Sequence, residues 1–226
     1  QRFLTTANLV NLLVQGSVFM LIGMGQVFVL LLGEIDLSLG YVAGIAAVVV
    51  TMLVQPATGW PWWAALLAAL VVAAAIGFLQ GTLITRLRLP SFVVTLAGLL
   101  AWQGVMIMVL GTGGTVPVPD RTINAIANGT LSPLGGWLLA GAVVLAFAAV
   151  TFVEDGRRRR SGLAAPSLGL SVLKVALAAA AAVGLTLLVN ADRGVGAFEL
   201  RGMPIVFPVL FGVLVLWSVV LGRTRF

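Results

Sequence analysis

Two carboxylates and a hydroxyl interrupt an apolar stretch of the sequence at Glu34, Asp36 and Ser38. Ionisable groups at membrane depth are costly and usually serve a function. A structural interpretation is also available, because a side-chain oxygen of Asp36 or Ser38 can accept a free backbone N–H as the N-cap of the following helix. Capping is compatible with a role in gating or in contact with another subunit, and the sequence leaves both open.

Other polar and small residues stand within apolar segments. Gln80, Thr95 and Gln103 join Glu34, Asp36 and Ser38 as candidates for lining or gating a pathway. Glycines four residues apart let two helix backbones approach closely in lipid. The pairs Gly40 with Gly44 and Gly77 with Gly81 therefore predict helix packing, with the lining of a narrow pathway as the functional alternative.

The residue types exclude several kinds of chemistry. The chain has no cysteine and no histidine, which removes disulfides, thiolate metal sites and imidazole catalysis. Its one lysine, Lys174, does not belong to a phosphate-binding Gly-x-x-x-x-Gly-Lys loop, so the chain does not hydrolyse ATP itself. We expect neither an enzyme nor a cofactor or metal site.

The composition predicts a membrane protein. Hydrophobic residues make up 61% of the chain and charged residues 9%, whereas soluble domains carry roughly 25% charge. Lipid must therefore surround this apolar surface, and we predict an all-α, polytopic helical bundle forming one transmembrane domain over residues 1–226. Seven spans are predicted, at residues 9–32, 37–54, 62–84, 92–110, 136–152, 168–189 and 205–221.

The basic residues give the orientation. The net charge of +6 comes from residues at span ends, which is unlike the basic face of a nucleic-acid-binding domain. Counting spans by parity puts eight basic residues on one side, namely Arg86, Arg88, Arg157, Arg158, Arg159, Arg160, Arg223 and Arg225. The other side receives Arg2, Arg121, Arg193 and Arg201. Basic loops stay in the cytoplasm, so the first side, with the four consecutive arginines in a short loop, is cytoplasmic. The segment 111–135 is then an external loop, and an N-terminus outside suggests a further helix before Gln1.

Several strings resemble the permease subunits of monosaccharide ABC importers. Residues 33–40 (Gly-Glu-Ile-Asp-Leu-Ser-Leu-Gly) are similar to that family's Ile-Asp-Leu-Ser-Val-Gly signature, with Leu39 in place of the usual valine. Residues 77–81 (Gly-Phe-Leu-Gln-Gly), residues 89–98 (Leu-Pro-Ser-Phe-Val-Val-Thr-Leu-Ala-Gly) and the final Arg225-Phe226 follow in the family's order. The basic segment before Leu168 and residues 192–195 look most like the xylose branch.

The resemblance implies a multi-pass permease of the bacterial inner membrane that carries a monosaccharide, such as the pentose xylose. It further implies a second permease subunit as a homodimer partner, a periplasmic-type sugar-binding protein and a cytoplasmic ATP-binding subunit. The family's coupling segment would begin after Phe226, so we expect a fragment of a longer permease. A membrane scaffold without a pathway, or a permease for another small polar solute, remains the alternative.

Overall fold

The computed structural model describes residues 3–194 and 201–223, so Arg2, Val195 and the Arg225-Phe226 landmark lie outside the described residues. The described chain is almost entirely helical. Its helices are α1 (Thr6–Leu31), α2 (Leu39–Leu53), α3 (Trp62–Leu87), α4 (Ser91–Leu110), α5 (Arg121–Asn128), α6 (Pro133–Arg160), α7 (Leu168–Asn190) and α8 (Val206–Arg223). A 3₁₀ turn covers Gly111–Gly113, and two short strands, β1 (Thr130–Leu131) and β2 (Met203–Pro204), pair antiparallel.

The seven predicted spans correspond to seven of these helices. Five of them, α1, α3, α4, α6 and α7, are long and apolar enough to cross a membrane, while α2 and α8 are shorter apolar helices. Many large apolar side chains are exposed, including Phe19, Phe78, Leu145 and Met108. Lipid is the medium in which such a surface is stable, because helices satisfy their own backbone groups there. The all-α polytopic membrane fold is confirmed.

Two local predictions are wrong. The arginines at 157–160 do not form a loop, because α6 continues through Arg160. Arginine is a good helix former, and cations near a helix C-terminus interact favourably with the helix dipole. The segment 111–135 is not all loop either, since it holds α5, which begins where the Asp120 carboxylate accepts the backbone N–H of Ile123 at 2.9 Å.

The chain packs as two compact units, and the single permease domain expected from the sequence stays a prediction. Unit 1 comprises residues 1–16 and 128–209, and unit 2 comprises residues 17–127 and 210–226. In unit 1, α6 packs against α7, and a small core forms around Val10, Val189 and Met203. In unit 2, α2 packs against α3 and α4 around Val50, Val54, Ala65 and Ala69.

Arg193 and Gly202 join the strands of unit 1 to the end of α7. The buried guanidinium of Arg193 donates from Nη2 to the Gly202 carbonyl oxygen at 2.8 Å, and burial lowers the pKa of Arg193 below its ordinary value. Gly202 donates its backbone N–H to the carbonyl of Val189 at 3.1 Å. These bonds hold the residue before β2 against the C-terminal end of α7.

The proposed orientation has a direct test in a chain without cysteine. Ser161→Cys should resist an impermeant thiol reagent added to intact cells, whereas Thr115→Cys should be labelled, because the positive-inside rule predicts a cytoplasmic location for the basic end of α6. Permeabilised cells provide the control, since both positions should then react. Labelling of Ser161→Cys in intact cells would reverse the assigned orientation.

Candidate functional site

Helix α1 ends sharply before the acidic residues. Gly33 adopts a left-handed φ of +76°, and its backbone N–H donates to Leu30 O at 3.0 Å while that of Glu34 donates to Val29 O at 3.2 Å. This pair of bonds is a Schellman motif, in which glycine closes the helix C-terminus. The chain therefore leaves the helix at a defined point.

The non-helical segment 32–38 runs back beside α1. In the orientation that satisfies both of its polar atoms, the Gln26 amide donates to the backbone O of Asp36 and accepts from its backbone N–H, each at 3.1 Å. Gln26 lies five residues before the end of α1, about 7.5 Å along the helix. The short α2, with 15 residues, spans only about 22 Å of a hydrocarbon core about 30 Å thick. For α2 to cross that core, as the sequence predicts, the non-helical segment must make up the remaining distance of about 8 Å and lie at membrane depth.

Irregular backbone at this depth needs partners, because water is scarce there. Thr95 supplies one, with its Oγ1 at 2.8 Å from Ser91 O and 3.2 Å from Ile35 O, so that one hydroxyl proton serves both carbonyls. The Asp36 carboxylate supplies another, since Oδ1 accepts from the backbone N–H of Ser38 at 2.8 Å. The Asp36 side chain therefore binds the backbone N–H of Ser38. Ser38 itself occupies the N-cap position of α2, and its side chain makes no capping hydrogen bond.

Ser38 instead connects the segment to α3. Its hydroxyl, fully buried, donates to Asp36 Oδ1 at 2.7 Å. Because that bond uses the hydroxyl proton, the Ser38 oxygen is left to accept from Nε2 of buried Gln80 at 3.0 Å. A continuous chain of hydrogen bonds therefore runs from Asp36 through Ser38 to Gln80.

Gly98 on α4 makes room for this contact. A Cβ at this position would lie 2.3 Å from Gln80 Nε2, 3.3 Å from Trp102 Nε1 and 3.4 Å from the Cβ of Ser38. The Trp102 Nε1 is itself buried and has no acceptor within the described part of the chain. The indole nitrogen and the Gln80 amide therefore both lie beside the space that a Cβ at position 98 would occupy.

We call Gln26, Asp36, Ser38, Gln80 and Thr95 the polar network. Of the predicted pathway residues, it unites Asp36, Ser38, Gln80 and Thr95, whereas Glu34 and Gln103 are half-buried outside it. Among the predicted packing glycines, Gly44 meets the Met106 sulfur, where a Cβ would lie at 2.9 Å. A Cβ at Gly40, Gly77 or Gly81 would meet no described atom within 4 Å. A packing role for these three stays a prediction.

Gly98 and Trp102 are not among the site residues that the sequence predicts. A signal was present, because Ser91, Thr95, Gly98 and Trp102 recur at spacings of four, three and four residues and so share one face of α4. The three internal strings that carry the family resemblance also meet here. They supply Asp36 and Ser38 from 33–40, Gln80 from 77–81, and Thr95 and Gly98 from 89–98.

Irregular backbone at membrane depth is tolerated where it is buried in protein or lines a cavity, and transport proteins use such segments at their solute sites. The chain belongs to the family described as the branched-chain amino acid transport system permease component, whose model matches residues 8–225. It is therefore a membrane permease component and not an enzyme. Its five long apolar helices fit a multi-pass membrane protein.

Several curated permease proteins are similar to this chain. The chain is 32% identical over 222 residues to the xylose transport system permease protein XylH of Haemophilus influenzae, covering 98% of this chain and 56% of the relative. It is 34% identical over 107 residues to the D-allose permease AlsC of Escherichia coli, covering 47% and 32%. The autoinducer 2 permease LsrC of Yersinia pseudotuberculosis is 34% identical over 136 residues, covering 58% and 37%.

The chain thus spans about half the length of the XylH relatives that it matches. No solved structure matches it. The resemblance to monosaccharide importer permeases is confirmed.

Proposed function

We propose that this chain is part of the permease subunit of an ABC importer and forms the translocation pathway for a monosaccharide, with xylose as the first candidate. The observation that supports it most directly is the non-helical segment 32–38 between two apolar helices, whose backbone and side chains are held by the polar network. The likeness to XylH supports the choice of a pentose. Allose and autoinducer 2 permeases among the relatives make other small polar solutes the competing substrates.

The polar network suits passage better than capture. Its side chains already form hydrogen bonds with each other and with backbone groups, as seen for Asp36, Ser38, Gln80 and Thr95. Tight sugar sites need several convergent polar groups that are free to reach the ligand. We therefore assign solute affinity to a separate periplasmic-type binding protein and energy to a cytoplasmic ATP-binding subunit, with a second permease subunit completing a homodimer.

Reconstitution tests the proposal. The full-length permease is incorporated into vesicles with the ATP-binding subunit and the sugar-binding protein of the proposed importer, and ATP-dependent uptake of labelled xylose is measured against ribose, allose and an amino acid such as leucine. Saturable uptake of a monosaccharide supports the proposal. Uptake of leucine alone, or no uptake by a correctly folded complex, would contradict it, the second outcome favouring a scaffold.

The Asp36 carboxylate should act through its acceptor oxygen. Asp36→Ala removes the acceptor for the Ser38 N–H and hydroxyl, and losing such buried bonds costs about 1–3 kcal/mol. Each ~1.4 kcal/mol lowers the equilibrium constant for keeping segment 32–38 in its present conformation by roughly tenfold, so we expect uptake to fall with the fraction of molecules that keep it. Asp36→Asn retains an acceptor oxygen and should keep most of the uptake.

Asp120→Asn is the matched control, because Asp120 also accepts a backbone N–H but caps the external helix α5. Its uptake should equal that of the unmodified protein. If Asp36→Asn is as inactive as Asp36→Ala while both fold, the charge itself is required. If Asp36→Ala transports normally, segment 32–38 has no part in transport.

A further inference from the structure

The last turn of α6 carries four consecutive arginines, Arg157–Arg160, which we call the arginine collar. Successive residues of an α-helix point about 100° apart, so four in a row surround the helix axis. All four side chains are exposed. A Schellman motif ends the helix directly after them, with Gly162 at φ +68° and the Leu163 N–H donating to Arg158 O at 2.9 Å.

The positive charge of the arginine collar is largely not neutralised by carboxylates of the protein. In residues 3–194 and 201–223, no collar arginine forms a salt bridge. The nearby Asp155 carboxylate accepts a hydrogen bond from the Ser171 hydroxyl on α7, and Glu154 is exposed one turn before the collar. Arg159 donates from Nη2 to Pro166 O at 2.9 Å, which uses part of one guanidinium. The other donors face outward.

The length of α6 sets the collar at headgroup depth. Its apolar stretch, residues 134–153, is about 30 Å long, which matches the hydrocarbon core. The collar begins about 6 Å beyond that stretch and lies where phosphates are found. Exposed apolar side chains flank it on both sides along the chain, with Val153 before it and Leu163 and Leu168 after it.

We propose that the arginine collar binds the phosphodiester headgroups of anionic lipids in the cytoplasmic leaflet. Guanidinium groups match phosphate geometry with paired donors, and basic residues just beyond a span attract anionic lipids. The exposed apolar flank accommodates the acyl chains of the same lipids. A protein partner would contact one side of the helix, whereas the collar presents charge all around it, so lipid is the occupant that fits.

Native mass spectrometry of the purified full protein tests the proposal, with phosphatidylglycerol and phosphatidylcholine added in equal amounts. We expect a preference for phosphatidylglycerol of roughly tenfold or more, falling as salt is raised because surface charges are screened. Changing all four collar arginines to Gln should abolish most of it, and changing all four to Lys, which keeps the charge and loses the paired donors, should retain part of it. Arg86→Gln with Arg88→Gln is the control for basic residues elsewhere on the cytoplasmic side.

Where the fourfold Gln variant fails to fold, Arg157→Gln with Arg160→Gln should still lower the preference measurably. Equal phosphatidylglycerol binding by folded Gln variants and the unmodified protein overturns the proposal. Displacement of bound phosphatidylglycerol by an acidic peptide at equal concentration would point instead to a protein partner and also overturn it.

Discussion

Gly98→Ala is expected to break the bond between Ser38 and Gln80. The new Cβ would lie 2.3 Å from Gln80 Nε2, so the amide must move away from the Ser38 oxygen that it now reaches at 3.0 Å. A buried polar group that loses its partner costs about 1–3 kcal/mol. The free energy of unfolding of the purified protein should fall by that amount, and uptake in vesicles should fall with it.

A double-mutant cycle isolates the cause. In a Gln80→Ala background there is no amide for the new methyl group to displace, so Gly98→Ala should then be nearly neutral. Gly104→Ala is the matched control on the same helix, because a Cβ there meets nothing within 4 Å, and alanine should be neutral or slightly stabilising. If Gly98→Ala costs the same in both backgrounds, the proposed contact with Gln80 is not its cause.

Gly202→Ala should lower the free energy of unfolding more than Gly98→Ala or Gly104→Ala. The position has a φ of +107°, and a Cβ would lie 2.0 Å from the backbone oxygen of Leu131. A backbone atom cannot move aside as a side-chain tip can, so the β1–β2 pairing must open and the Arg193 bond to Gly202 must lengthen. Strained backbone alone costs about 1–3 kcal/mol. We expect a total loss of about 3 kcal/mol or more in the free energy of unfolding.

Gly114→Ala separates strain from collision. Gly114 also has a positive φ, of +63°, but a Cβ there would meet no described atom within 4 Å. Its substitution should cost about 1–2 kcal/mol. Equal losses for the two variants, measured by chemical unfolding in the same detergent, would show that the Leu131 contact contributes nothing.

The sequence alone predicts the helices well. Their apolar runs, broken at Pro56, Pro90 and Pro133, correspond to the ends of α2, α3 and the start of α6 within a few residues. The reason is local: in lipid each backbone group must be satisfied within its own helix, so length and hydropathy suffice. The position of Asp36 and Ser38 at the start of a helix was equally visible from the sequence, because a carboxylate beside apolar residues is readily recognised.

Only the tertiary structure decided which polar residues meet. Ser38 and Gln80 are 42 residues apart in the chain, and Gln26 reaches Asp36 because segment 32–38 turns back along α1. Helices that are apolar on every side show no preferred face in their hydropathy, so rotation about each axis is set by contacts with neighbouring helices. The pairing of two-residue strands β1 and β2, about 70 residues apart, has the same origin. The need for glycine at position 98 is visible only in the structure. There the rotation of α3 and α4 brings the Gln80 amide close to the position that a Cβ on residue 98 would occupy.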